Sequence, residues 1–226
     1  MKKRPAPLPR RTFLTASAIV LLSGCAISPA GRRSRKGKVT GGIELEKAIA
    51  ELEAQDEKMM LVTRSEGRFV RMLAALRRPG RVLEVGTAHG YWTIWLASAL
   101  DPQATLTTLE ILPERAERAR AHLTQVGLAR RVTFLTGNAH ELIPGLPGKF
   151  DFIFLNADKT GMTDYFQKVY PAKLAPGGVL LTHNAILRKD DMKDYLQTVA
   201  QHPDFDTVVL SVTMEDGFAL SVHRTY

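Results

Sequence analysis

The chain has 226 residues, of which 45% are hydrophobic, a composition typical of a globular domain and too apolar for a disordered chain. It carries 31 Lys and Arg residues against 23 Asp and Glu residues, a net charge of +8. Ten of these bases and none of the acids lie in residues 1–38, so the remainder holds 21 bases and 23 acids, a net charge of −2. The basic excess therefore belongs to the N-terminal segment and argues against a nucleic-acid-binding domain.

Residues 1–24 predict an export signal. A positively charged segment is followed by an apolar stretch, Phe13 to Leu22, which has the length found in signal peptides and is too short to span a bilayer. The sequence RRTFL at residues 10–14 resembles a twin-arginine signal, and LSGC at residues 22–25 resembles the lipobox of bacterial lipoproteins. We therefore expect an exported bacterial lipoprotein, lipidated on Cys25 and anchored to a membrane facing the periplasm or the cell exterior.

Residues 25–42 predict a basic tether between this signal and a domain at residues 43–226. The segment is rich in Gly, Ser and basic residues and has few apolar residues to bury. Beside a lipidated Cys25 these bases would face a membrane surface and bind anionic headgroups. A solvated linker explains the same composition.

Helical and strand patterns alternate from residue 43 onward. Apolar spacing predicts helices from Ile43 and from Ser65, and later helices at residues 91–100, 113–126, 165–174 and 189–200. Short apolar or β-branched runs predict strands at residues 81–85, 105–109, 131–135, 150–155 and 179–182, and a final antiparallel pair at 207–212 and 218–223. The alternation predicts an α/β fold, a Rossmann-like doubly wound sheet of seven strands with a C-terminal antiparallel hairpin.

A glycine-containing turn, GTAHG, follows the first predicted strand. Gly86 and Gly90 allow a tight turn and close approach of a ligand to the backbone. The following helix, which begins near Tyr91, can direct N–H groups at a carboxylate. The spacing of the two glycines in this turn lacks the middle glycine of the dinucleotide-binding fingerprint, so a dinucleotide ligand is disfavoured. Glu110 ends the second strand, where an acid can accept hydrogen bonds from two ribose hydroxyls.

Five segments resemble the metal-dependent O-methyltransferases of catechols and caffeoyl-CoA, especially their bacterial members. These segments are MLVTRSEGRF, RVLEVGTAHGYW, TLEILPERAERAR, FDFIFLNADKTG and APGGVLLTHN. The resemblance implies a class I methyltransferase fold, S-adenosylmethionine as methyl donor and a small hydroxylated acceptor such as a catechol. The resemblance and the glycine turn together give a set of candidate cofactor-binding residues, namely Val62, Glu84, Gly86, Thr87, Gly90, Trp92, Glu110 and Ala139. Within this set, Ala139 would lie next to the adenine, and Trp92 replaces a family serine that bonds the methionine end.

The motif that binds the divalent cation in this family is altered here. The family pattern is D-A-D-K followed by D-N, whereas this chain has NADK at residues 156–159 and HN at residues 183–184. The candidate metal positions Asn156, His183 and Asn184 therefore lack the carboxylates on which Mg²⁺ depends, and a His suits transition metals better. Three hypotheses stay open: methyl transfer without metal, transfer with a His-compatible metal, and a domain that binds the cofactor but has lost the chemistry.

The candidate catalytic residues are Lys159 and His183. Methyl transfer requires in-line attack of a substrate oxygen on the sulfonium methyl, so the protein must align the reactants and help remove a proton. Lys159 occupies the position of the family's proton-accepting lysine. His183 is a second candidate base, because its ordinary pKa lies near neutrality. The alternatives are a solvated lysine at the end of a strand for Lys159 and a hydrogen bond to a buried loop for His183.

Two classes of function follow from these observations. The glycine turn and Glu110 favour an O-methyltransferase. The altered metal motif and the export signal favour a membrane-tethered protein that uses a degenerate cofactor pocket to bind a nucleoside-like ligand or a partner. No nucleic-acid partner is expected from the near-neutral domain, and the family resemblance makes a homodimer possible.

Overall fold

A computed structural model of the chain describes residues 40–54, 63–211 and 216–225, with side chains from Glu44 onward. Cys25, the export signal and Val62 lie outside these residues, as does nearly all of the tether. No helix in the described ranges is long and apolar enough to cross a membrane.

Seven strands form a single sheet in the order β3-β2-β1-β4-β5-β7-β6. They are β1 (Arg81–Val85), β2 (Thr105–Glu110), β3 (Val132–Thr136), β4 (Phe150–Leu155), β5 (Leu174–His183), β6 (Phe205–Leu210) and β7 (Phe218–His223). The pairs among β1 to β5 are parallel, whereas β7 is antiparallel to both β5 and β6. The predicted Rossmann-like sheet with a C-terminal antiparallel hairpin is confirmed. The strand order reverses between β1 and β4, where such sheets bind ligands.

Helices cover both faces of the sheet. They are α1 (Thr40–Ala54), α2 (Arg64–Arg77), α3 (Tyr91–Ala99), α4 (Pro113–Gln125), α5 (Ala139–Gly145), α6 (Met162–Val169) and α7 (Lys193–Gln201). Residues of α1 to α4 share one hydrophobic cluster with the sheet, and residues of α5 to α7 share the second. Each sheet face is thus buried by helices, which explains the nearly continuous apolar runs of the central strands.

Several element boundaries differ from the prediction. The short helix α5 was not predicted. The helix predicted at residues 165–174 lies at Met162–Val169, and α7 begins at Lys193 rather than at 189. Strand β5 includes Pro176-Gly177-Gly178, which the sequence suggests is a break between elements. These residues lie at a shift in register, since Phe150 of β4 pairs with Leu174 and Phe152 pairs with Val179, so they form a bulge within the strand.

The packing of α2 against α3 places an acidic side chain near the carboxyl end of β5. A Cβ at Gly67 would lie 2.1 Å from the indole nitrogen of Trp95, so the two helices meet at a position where only glycine fits. Next to it, the Glu66 carboxylate accepts a hydrogen bond from the Thr63 backbone N–H (2.9 Å) and closes a capping box at the start of α2. This contact fixes the direction in which Glu66 points.

Candidate active site

A cavity of about 1120 Å³ lies at the carboxyl ends of β1, β2, β4 and β5. It is large enough for a nucleoside-type cofactor together with a small acceptor. Among the residues that line it are Gly86, Ala88, Trp92, Glu110, Asn138, Ala139, His140, Asn156, Asp158, Lys159, Tyr165, His183, Asn184, Arg188 and Asp216. The fold therefore brings most of the sequence-predicted site residues to one cavity.

The glycine turn after β1 depends on backbone space. Gly86 has a φ of 99°, and a Cβ there would lie 2.3 Å from the carbonyl oxygen of Asn156 at the end of β4. Gly90 has a φ of 88°, and a Cβ there would lie 3.0 Å from that of Ala119 on α4. The missing side chain at Gly86 thus allows the ends of β1 and β4 to approach each other. The missing side chain at Gly90 instead allows the turn to approach α4.

The carboxylate of Glu110 is held rigidly at the cavity wall. Oε2 accepts a hydrogen bond from the Ala88 N–H (2.7 Å), and Oε1 accepts one from the Leu112 N–H (3.1 Å). Its side chain is nearly buried, yet it lines the cavity. Because each carboxylate oxygen can accept a second hydrogen bond, Glu110 can still receive hydroxyl donors from a ligand.

Two other sequence-predicted cofactor residues turn their side chains into the sheet. Glu84 Oε2 accepts hydrogen bonds from the hydroxyls of Thr93 and Thr108, both at 2.6 Å, while Oε1 has no partner among the described residues. The hydroxyl of Thr87 bonds that of Thr108 at 2.5 Å. Complete burial raises the pKa of Glu84 to about 7, although the two threonine hydroxyls oppose this shift. Neither Glu84 nor Thr87 lines the cavity.

The imidazole of His183 is the centre of the opposite end of the cavity. Its Nδ1 lies 3.1 Å from Asn156 Oδ1, and its Nε2 lies 3.3 Å from Glu66 Oε1 and 3.4 Å from Asp216 Oδ2. His183 and Glu66 are almost fully buried. The hydrogen bond with His183 lowers the pKa of Asp216 below its ordinary value.

Lys159 is the second candidate catalytic residue in this part of the cavity. Its ammonium donates a hydrogen bond to Asn156 Oδ1 (3.1 Å). Burial lowers the pKa of Lys159 to about 8, with a further contribution from the charge of Arg188, while Asp158 and Asp216 act in the opposite direction. A substantial fraction of this amine is therefore neutral near pH 8 and able to accept a proton.

The residues at the cation position that the sequence resemblance implies do not fit Mg²⁺. Asn156 and Asn184 offer only amide oxygens and His183 only ring nitrogens, so no carboxylate is present at the three positions. Asn156 Oδ1 already accepts the Lys159 ammonium and faces His183. Mg²⁺ requires octahedral oxygen ligation that includes carboxylates, so we derive no step of the reaction from it.

Trp92, at the position where the sequence resemblance implies a serine, forms the wall at this end of the cavity. Its ring packs edge-on against Phe154 and His183, with centroid distances of 5.1 Å to each, and is 5% exposed. A large aromatic side chain thus holds the imidazole from one side.

Glu66 and Asp216 were not predicted from the sequence as site residues. Glu66 is recognisable there only as the last residue of a capping box, and Asp216 only as part of an Asp-Gly turn. Glu66 and His183 are 117 residues apart, so no motif spacing connects them. Only the packing of α2 against the sheet brings them into contact.

A further polar cluster at the cavity wall also escaped prediction. The His140 ring stacks on that of Tyr165 at a centroid distance of 3.9 Å, and the Tyr165 hydroxyl donates to Asp158 Oδ1 at 2.5 Å. His140 also bonds Asp164. These contacts fix the wall between the two ends of the cavity.

Comparison with known proteins identifies the family. The O-methyltransferase family model matches residues 43–221. A catechol O-methyltransferase from Mycobacterium tuberculosis is 34% identical over 193 residues, which cover 78% of this chain and 87% of that protein. Among solved structures, cofactor-bound Rv0187 from MTB is 32% identical with a TM-score of 0.73, covering 81% of this chain and 91% of its own. The O-methyltransferase TomG from Streptomyces achromogenes, involved in tomaymycin synthesis and solved in complex with SAM, is 28% identical with a TM-score of 0.71, covering 80% and 90%. The chain therefore has the methyltransferase fold and belongs to the O-methyltransferase family.

Proposed function

We propose that this protein transfers a methyl group from S-adenosylmethionine to a hydroxyl of a small acceptor such as a catechol, without the family's Mg²⁺ site. The observation that carries this proposal is one cavity with Glu110 and the Gly86 turn at one end and Lys159 with His183 at the other. A donor and an acceptor bound at these two ends would meet near Asn156. Holding two reactants in line supplies much of the rate enhancement of a group transfer.

The cofactor end suits a nucleoside. Glu110 presents two fixed carboxylate oxygens to a ribose diol, as in other doubly wound folds. Ala139 is a small residue at the start of α5 and leaves room for an adenine beside it. The open turn at Gly86 leaves space for the amino-acid portion of the donor.

The acceptor end suits removal of a hydroxyl proton. The acceptor oxygen attacks the methyl carbon, the bond from that carbon to sulfur breaks with its electron pair retained by sulfur, and the hydroxyl proton passes to a base. Lys159 Nζ is the base best placed for this step, because its lowered pKa provides the neutral amine near pH 8. In this scheme the Trp92 ring and the His183 edge orient the acceptor.

The alternative is a membrane-tethered protein that binds the cofactor or a related nucleoside without catalysis. One observation favours it, namely that Asn156 and His183 replace both aspartates of the family motif. In either case we propose export as a lipoprotein, supported by the signal in residues 1–24 and by Cys25. Replacement of Cys25 by Ser would then move the protein from the membrane to the soluble fraction and abolish palmitate labelling, whereas unchanged membrane retention would contradict lipidation.

The test begins with calorimetric titration of S-adenosylmethionine into the full chain carrying Cys25→Ser, with and without EDTA. We expect micromolar binding that EDTA does not change, followed by methyl transfer to hydroxylated aromatic acceptors at a rate that added Mg²⁺ does not raise. Binding without transfer to any acceptor would favour the tethered binding protein. Absence of S-adenosylmethionine binding in both conditions would overturn the proposal.

A further inference from the structure

Three side-chain atoms that could bind a metal ion lie close together at the acceptor end of the cavity. His183 Nε2 lies 3.3 Å from Glu66 Oε1 and 3.4 Å from Asp216 Oδ2. Ligand atoms of the three residues all lie within 4.8 Å of one another. They come from separate elements, the first turn of α2, the end of β5 and the turn before β7. His183 and Glu66 are buried, whereas Asp216 is 23% exposed and lines the cavity.

The hydrogen bond made by His183 Nδ1 determines whether Nε2 directs a proton or a lone pair at these carboxylates. Asn156 Oδ1 accepts the Lys159 ammonium at 3.1 Å, which orients the amide with its oxygen toward the ring, and His183 Nδ1 lies 3.1 Å from the same oxygen. Nδ1 must therefore carry a proton, and in the neutral ring Nε2 directs its lone pair at the two carboxylates. Histidines that bind metals are usually oriented by such a hydrogen bond from the second ring nitrogen.

Two carboxylates that face the same ring nitrogen are suited to a cation between them, and the distances favour a metal ion over a shared proton. Charge-assisted N–H···O bonds to carboxylates are about 2.7–2.9 Å long, so both contacts of Nε2 are too long, and one N–H would have to serve two acceptors. In a tetrahedral site with bonds of about 2.1 Å, ligand atoms lie about 3.4 Å apart. The two separations from Nε2, 3.3 and 3.4 Å, agree with this value, and all three atoms lie within 4.8 Å of one another.

We propose that Glu66, His183 and Asp216 bind one divalent first-row transition ion of the Zn²⁺ class. Two carboxylates balance the charge of this ion, and the imidazole ligand favours it over Mg²⁺. Mg²⁺ usually keeps several water ligands, and the buried surroundings of Glu66 leave little room for them. The fourth position faces the cavity past Asp216 and is open to water or to an acceptor oxygen. Only the assignment of that fourth ligand to an acceptor rests on the proposed function.

The site differs from the family's cation site in its ligands. Glu66 and Asp216 lie outside the two sequence motifs that carry the family's metal ligands, and His183 alone is common to both positions. The ion is thus held between α2 and the hairpin turn rather than by the ends of β4 and β5 alone.

The experiment uses the full chain with Cys25→Ser, stripped of metal and titrated with Co²⁺ or Zn²⁺. We expect one equivalent of Co²⁺ with the intense visible absorption of tetrahedral coordination, one equivalent of Zn²⁺ in competition with it, and a rise in melting temperature that Mg²⁺ does not produce. Asp216→Asn should weaken Co²⁺ binding at least tenfold, because it removes a charged ligand at a half-buried site. The matched control is Asp158→Asn, which changes an acid that lines the same cavity but bonds Tyr165 and should leave metal affinity unchanged.

Two results would overturn the site. One is the absence of stoichiometric Co²⁺ and Zn²⁺ binding by the folded parent protein, which would leave only direct contacts between His183 and the two carboxylates. The other is Co²⁺ affinity that is the same in Asp216→Asn and in the parent. Titration of S-adenosylmethionine into the same metal-free preparation tests the cofactor site separately, so failure of one inference is distinguishable from failure of the other.

Discussion

The backbone of Gly86 lies directly against the carbonyl group of Asn156, whose oxygen is 2.3 Å from the place that a Cβ at position 86 would occupy. The contact joins the end of β1 to the end of β4, the two strands between which the sheet order reverses. Together with the pairing of β1 and β4, this contact fixes the position of the Gly86 turn relative to Asn156.

Replacement of Gly86 by Ala should disturb both ends of the cavity. The added methyl group overlaps a backbone atom that cannot rotate away, and the φ of 99° is unfavourable for any residue with a Cβ. We expect a loss of unfolding free energy on the order of 3 kcal/mol or more, together with loss of S-adenosylmethionine binding. Urea denaturation and calorimetry measure the two effects.

The matched control is Gly127→Ala, since Gly127 has a φ of 70° but no atom within 4 Å of its added Cβ. It should lose only the conformational term of about 1 kcal/mol and keep its ligand affinity. Equal destabilisation in the two variants would show that the Gly86–Asn156 contact has no special effect.

Removal of the Glu110 carboxylate should weaken cofactor binding selectively. Hydrogen bonds to a charged group contribute about 1.5–3 kcal/mol each, so Glu110→Ala should raise the dissociation constant for S-adenosylmethionine by at least tenfold. The control is Glu114→Ala, which removes an exposed acid in the first turn of α4. A Glu110→Ala protein with unchanged affinity would exclude contact between this carboxylate and the cofactor.

The cofactor end was more predictable from the sequence than the acceptor end. The strand, glycine turn and helix around Gly86 are consecutive in the chain, so local patterns specify them, and Glu110 follows the next strand. The environment of His183 is assembled from α2, β5 and the final turn, and no periodicity in the sequence links Glu66 with Asp216. Long-range packing, which local propensity does not encode, creates that site.

The differences between the predicted and the observed secondary structure also arise from tertiary contacts. Helix α5 has only seven residues and contains Pro144, so its sequence looks like a turn, and the Asn138 side chain that caps it becomes evident only in the fold. Pro176-Gly177-Gly178 is typical of a loop, but it lies in β5 between Leu174 and Val179, both of which pair with β4. In both cases tertiary contacts compensate for weak local preference.

The buried acid Glu84 should make stability depend on pH in an unusual direction. Its folded pKa of about 7 lies above the ordinary value of 4.5, so the native state holds a proton that the unfolded chain releases. The stabilising effect of this proton is complete below about pH 4.5 and is lost as pH rises through about 7. The unfolding free energy of Glu84→Gln relative to that of the parent should therefore increase as the pH rises from 5 to 8, by on the order of 3 kcal/mol.

The comparison is made by urea denaturation of parent and variant at several pH values, with the exposed Glu117→Gln as the control. The difference between Glu84→Gln and the parent should grow with pH, and that between Glu117→Gln and the parent should stay nearly constant. A constant difference for Glu84→Gln as well would mean that Glu84 titrates alike in the folded and unfolded states.

The pH dependence of methyl transfer should follow the protonation of Lys159. Only the neutral amine can accept the hydroxyl proton, and the lowered pKa of about 8 means that its fraction rises as pH rises through that value. With an acceptor whose own hydroxyl ionises well above pH 9, kcat should increase through pH 8 and then level off.

Lys159→Arg keeps the positive charge but cannot release its proton in this range. Its kcat should therefore fall by roughly 10²–10⁴-fold and lose the inflection near pH 8, while its affinity for S-adenosylmethionine stays the same. Lys168→Arg, which alters a lysine ion-paired with Asp164 on α6, should keep both rate and profile. An inflection near pH 8 that persists in Lys159→Arg would assign the proton transfer to a group other than Lys159.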